Sequence, residues 1–182
     1  KMYYLTNNIL RSNGYRKYEI SNYSKPGKEC KHNIGYWQRK EYLGFGIGAA
    51  SLYKENRYNN ISDINKYIEV LTNNIKENSI NNVENSSEVE NQVNILNSIV
   101  KNLQQLTERD RMEEFMFLGL RMMEGVSMEK FERYFGKPYM EVYGKVQKKM
   151  EDKRFLINDN GYVKLTEFGI DLSNYVMSEF LF

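Results

Sequence analysis

The one cysteine, one histidine and one tryptophan of this 182-residue chain fall within eight positions, at Cys30, His32 and Trp37 of "KPGKECKHNIGYW". Structural zinc takes four Cys, His or carboxylate ligands, and one Cys with one His cannot build a Cys/His zinc site. A histidine-based hydrolytic triad would need a nucleophile elbow such as G-x-S-x-G, which the sequence lacks. A Cys30–His32 dyad requires an extended backbone, where side chains two apart share a face, and nothing nearby marks an oxyanion hole. Haem is the exception, because its iron can be held by one axial histidine. The macrocycle then needs flat apolar surface, and Tyr36 and Trp37 follow His32 by one helical turn. Two readings of the residues stand side by side. In one, His32 faces a haem. In the other it caps a helix, with Trp37 in a core.

The elements around this cluster mix helix and strand. Met2, Leu5, Ile9 and Leu10 have helical spacing, and Gly14 stops that helix. Residues 15–21 read as a β segment and Pro26-Gly27 as a turn. "YLGFGIGAAS" (42–51) reads as a buried strand with close approaches at its glycines, and "SLYKENRYNNI" as a hairpin around Glu55-Asn56. Strands near 16–21 and 43–50 are expected side by side, with the 30–40 loop crossing one end. This order resembles the last units of an α/β barrel, with too few strands to close one. Ser62 is expected to cap a helix bearing Ile64, Tyr67, Ile68 and Leu71. An asparagine-rich linker follows, then a helix with a heptad-like stripe of Val89, Val93, Leu96, Val100 and Leu103. Beyond it, Thr107 with Asp110 forms a capping-box variant, Ser127 caps a second helix that Gly136 ends, and Pro138 opens a third. A hairpin turning at 158–161 and a final helix from Thr166 through Leu181 complete a winged-helix-like pattern. The fold class is therefore α+β: strands and helices of a partial α/β barrel, then a winged-helix-like domain.

Composition narrows the function. Hydrophobic residues make up 41% and aromatics 14%, enough for a core. A net charge of +2 argues against a dedicated nucleic-acid binder. The third helix does carry Lys145, Lys148, Lys149, Lys153 and Arg154, but Glu151 and Asp152 interrupt them, so winged-helix nucleic-acid binding is the alternative and a solvated basic face the plainer explanation. No apolar run has membrane-span length and no signal peptide is visible, so a membrane surface would be met only through a partner. A lone cysteine fits a reducing cytoplasm. The chain starts at Lys1, inside an element, as a piece of a longer protein would.

"YEISNYSKPGKECKHNIGYW" followed by "YLGFGIGAAS" resembles the oxygen-independent coproporphyrinogen III oxidase-like family of radical S-adenosylmethionine (SAM) proteins, and within it the haem-chaperone branch with its H-N-x-x-Y-W motif. "LTERDRMEEFMFLGLRMMEGV" and "LTEFGIDLSNYVMSEFL" resemble that family's C-terminal domain. The resemblance implies three regions: the end of a radical SAM barrel (1–75), a linker with an amphipathic helix (76–106) and a winged-helix-like domain (107–182). It implies haem contacts at His32, Asn33, Tyr36 and Trp37, with His32 on the iron or lining the haem site and Asn33 fixing its imidazole or the local backbone. It also implies SAM contacts at Gly46, Gly48 and Ala50, for which tight packing is the competing explanation. Ala50 stands where the family commonly has histidine. SAM and a [4Fe–4S] cluster belong to the longer protein: the C-x-x-x-C-x-x-C motif is absent, and one cysteine cannot hold a cluster. The chain alone is thus expected to lack radical chemistry. Haem or a porphyrinogen is the implied ligand, a haem-acceptor protein the implied partner, and porphyrinogen oxidation the alternative activity within the family.

Overall fold

The structure is a computed structural model that describes residues 2–80 and 98–182. It is a mixed α+β chain with small sheets, and it divides into two compact units, one formed by 1–40 with 107–182 and the other by 41–106.

In the first unit, helix α1 (Met2–Ser12) leads to the two-residue strands β1 (Arg16–Lys17) and β2 (Tyr23–Ser24), which pair antiparallel. Helix α2 (Lys31–Trp37) follows. After residue 106 come α4 (Glu108–Gly119), β6 (Val126–Ser127), α5 (Met128–Phe135) and α6 (Tyr139–Asp152). The hairpin β7 (Leu156–Asp159) and β8 (Tyr162–Leu165) joins β6 in a sheet of order β6-β8-β7. Two short helices, α7 (Glu167–Asp171) and α8 (Ser173–Ser178), replace the single closing helix expected from 166 to 181. Gly169 packs its bare Cα against the Phe155 carbonyl, and Leu172 leaves helical geometry at φ −116 and ψ 26, so the chain turns there.

The core of this unit is aromatic. Phe131 is fully buried and makes ring contacts at 4.7–5.7 Å with Phe115, Phe135, Tyr139 and Tyr143. Edge-to-face pairs of this kind add about 0.5–1.5 kcal/mol each beyond their area. The start signals read from sequence hold. Ser127 Oγ accepts from Lys130 N–H at 3.2 Å, Thr166 Oγ1 accepts from Gly169 N–H at 2.9 Å, and Gly136 ends α5. The Thr107–Asp110 capping box is closed in both directions. The Thr107 hydroxyl, then its N–H, holds the Asp110 carboxyl below its usual range. A depressed folded pKa stabilises above the unfolded pKa, and that stability is lost as pH falls through the folded value. At this exposed site Asp110→Asn is expected to cost a few tenths to about 1 kcal/mol near neutral pH. The deficit should vanish in acid, as denaturant titrations at both pH values would record.

The second unit holds the sheet β3-β4-β5, from Ala50–Tyr53, Asn56–Asn60 and Val100–Gln105. Leu52, Ile61, Ile99 and Leu106 are buried in it. The expected β3–β4 hairpin forms, but it turns at Lys54 and Glu55, both with positive φ, one residue before the Glu55-Asn56 read from sequence, and Asn56 already pairs with Tyr53. Helix α3 (Ile64–Ile80) is capped by Asp63, not Ser62: Asp63 Oδ1 accepts from Lys66 N–H at 3.0 Å, the N3 position. With no Gly or Pro to stop it, α3 runs into the stretch read as linker.

Three further expectations are corrected. The strand read at 43–50 begins only at Ala50, because Gly46 and Gly48 take left-handed φ values of 93° and 66° that break an extended run. The pairing of 16–21 with 43–50 gives way to the local hairpins β1–β2 and β3–β4. Val100 and Leu103, read as part of a helical stripe, lie in β5 against β4. Val89, Val93 and Leu96 lie outside the described residues. Among the described residues no helix is long and apolar enough to cross a membrane.

Candidate functional site

The cluster at 30–37 folds as a helix and not as an extended segment. Cys30 is its N-cap residue, exposed, with no side-chain cap bond. The Cys30–His32 dyad loses its premise, since residues two apart on a helix face different ways.

Helical spacing sorts the four motif residues into two pairs. His32 and Tyr36 lie one turn apart, with ring centroids 4.7 Å apart and planes at 87°. His32 is exposed, and among the described residues neither imidazole nitrogen has a hydrogen-bond partner. It neither caps the helix nor enters a core. Asn33 and Trp37 form the other pair. The Asn33 amide donates to the Tyr18 hydroxyl at 3.4 Å, a long contact, and not to His32. Trp37 is half-buried beneath the Arg121 guanidinium, whose carbon lies 4.3 Å from the ring centroid. Just past the helix, Arg39 Nε donates to Glu114 Oε2 at 2.8 Å and Nη1 to the Tyr134 hydroxyl at 3.2 Å. A cavity of about 260 Å³ opens here, with Trp37, Phe115, Met122, Val126, Lys130 and Tyr162 in its wall. The structure thus separates His32, which is exposed beside the half-buried Tyr36, from Trp37, which is turned towards the helices after residue 107.

The glycine loop of the second unit is braced from within. The buried Asn60 amide donates to the carbonyls of Gly44 and Gly46, at 3.0 and 2.8 Å. Gly46 N–H donates to the Tyr67 hydroxyl at 3.2 Å and Gly48 N–H to the Ile61 carbonyl at 3.0 Å. A Cβ on Gly46 would meet nothing within 4 Å, which leaves that face open for close approach. Ala50 starts β3 opposite Asn59. Packing and an open face coexist at this loop.

Reading the sequence alone missed Arg121, Glu19, Glu114 and Asn60. The first three carried a signal: each is a charged residue set among apolar neighbours, in "GLRMM", "YEI" and "MEEFMF", and such residues are seldom buried unless paired. Asn60 carried none, in a stretch rich in asparagine.

Comparison with known proteins gives a class first. Residues 106–172 match the family model of the HemN C-terminal domain. The fold is similar to that of a solved structure, coproporphyrinogen III oxidase (HemN) from Escherichia coli, described as a radical SAM enzyme. The TM-score is 0.65 over 97% of this chain and 39% of that one, at 13% identity. At that identity the likeness concerns fold alone. The chain is also 33% identical over 180 residues to the heme chaperone HemW of Lactococcus lactis and 29% identical over 181 residues to that of Bacillus subtilis. These alignments cover 99% and 100% of this chain, and 41% and 42% of the relatives. The chain therefore spans about two-fifths of the length of these relatives. Together the matches support a HemN/HemW-like family for this chain, in agreement with its motifs.

Proposed function

We propose that this chain supplies haem binding to a HemW-like, cytoplasmic haem chaperone, with His32 as the residue that meets the iron. The observation that supports this reading is the His32–Tyr36 pair: an exposed imidazole with both nitrogens uncommitted, set edge-on to a tyrosine on the same helix. Haem iron, when bound, offers a coordination position that a neutral imidazole nitrogen fills. His32 would hold it, and Tyr36 would lie beside the macrocycle. Asn33 and Trp37 serve the same site by fixing the helix, through Tyr18 and Arg121. In the longer protein, Gly46, Gly48 and Ala50 would approach SAM, with Gly46 giving the open face. The cluster cysteines would come from sequence this chain does not contain. Residues 107–182 would be a winged-helix-like accessory domain, as their helix–strand–helix–helix–hairpin order suggests, and the haem would pass to an acceptor protein.

The test is a haem titration followed at the Soret band. His32→Ala is expected to abolish or shift the band and to weaken binding by at least about tenfold, since even residues that only orient a metal ligand cost that much. Cys30→Ser should change neither. Unchanged spectrum and affinity in His32→Ala would remove the haem reading. Turnover of coproporphyrinogen III by the longer protein, without haem binding, would replace it with the oxidase reading.

A further inference from the structure

The helix that carries His32 spans seven residues, none of them buried, and its N-cap makes no side-chain bond. A helix so short has little stability of its own, so its pose comes from what it packs against. The most specific of those contacts is at Trp37. The indole N–H is buried with no acceptor among the described residues, so the ring is located by its face and not by its polar handle. That face carries the Arg121 guanidinium at 4.3 Å. Arg121 is itself held twice. Its carbonyl accepts from Ile20 N–H at 2.9 Å, and its Nη2 lies 3.6 Å from Glu19 Oε2. The Glu19 side chain is 0% exposed. At 3.6 Å the contact is ionic and not a hydrogen bond, yet it places a counter-charge beside a carboxylate that burial would otherwise penalise. The neighbouring Tyr18 receives the Asn33 amide, so adjacent residues of one segment bear on α2, Tyr18 directly at Asn33 and Glu19 through Arg121 at Trp37.

We propose that Arg121, held by Glu19, is the positioning residue that sets the pose of α2 and, through Trp37, the presentation of His32 to haem. The inference rests on the haem reading above and assigns to the HemN-type C-terminal domain a part in that site. Arg121 does not touch the ligand. It acts through the indole.

Trp37 is the only tryptophan of the chain, so its emission reports this contact directly. Arg121→Lys keeps a counter-charge for Glu19 but lacks the planar group that stacks on an aromatic face. The double variant Glu19→Gln/Arg121→Gln removes both charges without stranding either. Both are expected to shift Trp37 emission to the red, to weaken haem binding roughly three- to thirtyfold, and to move the Soret band towards the His32→Ala form. Met150→Ala, a core truncation, should lower the melting temperature and leave emission and haem affinity as they were. Native emission and affinity in both Arg121 variants, with haem lost in His32→Ala, would overturn the inference alone. Equal loss of affinity in Met150→Ala would reduce the effect to general stability and overturn it too. Native haem binding by His32→Ala would remove the haem reading and this inference with it.

Discussion

Glu114→Ala is expected to destabilise the unit formed by 1–40 and 107–182 by about 3–5 kcal/mol, the usual cost of removing one member of a buried ion pair. Glu114 Oε2 receives Arg39 Nε at 2.8 Å, and the two side chains are only 11% and 5% exposed. Solvent screening is correspondingly weak, so the discount that applies to surface pairs does not apply here. Most of the loss comes from the guanidinium left in a poorly solvated place, not from the attraction forgone. The double variant Arg39→Met/Glu114→Leu, which removes both charges, should therefore recover most of it. At about 2–4 °C per kcal/mol for a chain of this size, Glu114→Ala should melt visibly earlier by circular dichroism. A melting temperature within 2 °C of native would show that the pair contributes no more than an exposed one. The pair joins Arg39, two residues past α2, to the middle of α4, so its loss should also loosen Trp37 and raise the access of a neutral quencher to it.

The C-terminal elements, apart from the break at Leu172 in the closing helix, were legible in the sequence because their signals are local. Thr107, Ser127, Gly136 and Thr166 each act on backbone groups within a turn, and each holds its expected place. The glycine loop misled for a reason equally physical. "YLGFGIGAAS" has the apolar content of a buried strand, but Phe45 is 87% exposed, and the left-handed φ at Gly46 and Gly48 turns the run into a loop. Composition does not carry φ. Periodicity misled at Val100 and Leu103 because three- and four-residue spacing over a short stretch does not separate helix from strand once a neighbouring strand offers a ladder. At the candidate site, residue types and spacing brought out His32, Asn33, Tyr36 and Trp37. They could not reveal that His32 stays exposed while Trp37 packs under a guanidinium, because that depends on Arg121, more than eighty positions along the chain. Long-range partners of this kind leave no periodic trace.

Gly169→Ala and Gly144→Ala should have opposite effects, although both place a methyl group on a helix. Taken alone, helix propensity favours alanine over glycine by about 1 kcal/mol at either position. At Gly144, in the middle of α6, the nearest atom to a new Cβ is the Met140 terminal methyl carbon at 3.1 Å. Met140 is 54% exposed, so that end can swing aside, and the propensity gain should survive. At Gly169, in the first turn of α7, the new Cβ would lie 2.0 Å from the Phe155 carbonyl oxygen and 2.9 Å from its carbon. Those are backbone atoms. The same oxygen accepts from Thr166 N–H at 3.0 Å, and Thr166 caps α7 through Gly169 N–H. Relief would have to separate α7 from the hairpin and break the cap in the process. Overpacking against side chains costs about 1–3 kcal/mol. With backbone on one side, and a cap of about 1 kcal/mol lost besides, Gly169→Ala should cost at least about 3 kcal/mol, against a gain of up to about 1 kcal/mol for Gly144→Ala. Thermal melts of the two variants should therefore bracket the native chain, Gly169→Ala well below it and Gly144→Ala at or slightly above. A Gly169→Ala variant that melts with the native chain would mean that the contact between α7 and the Phe155 carbonyl is not made.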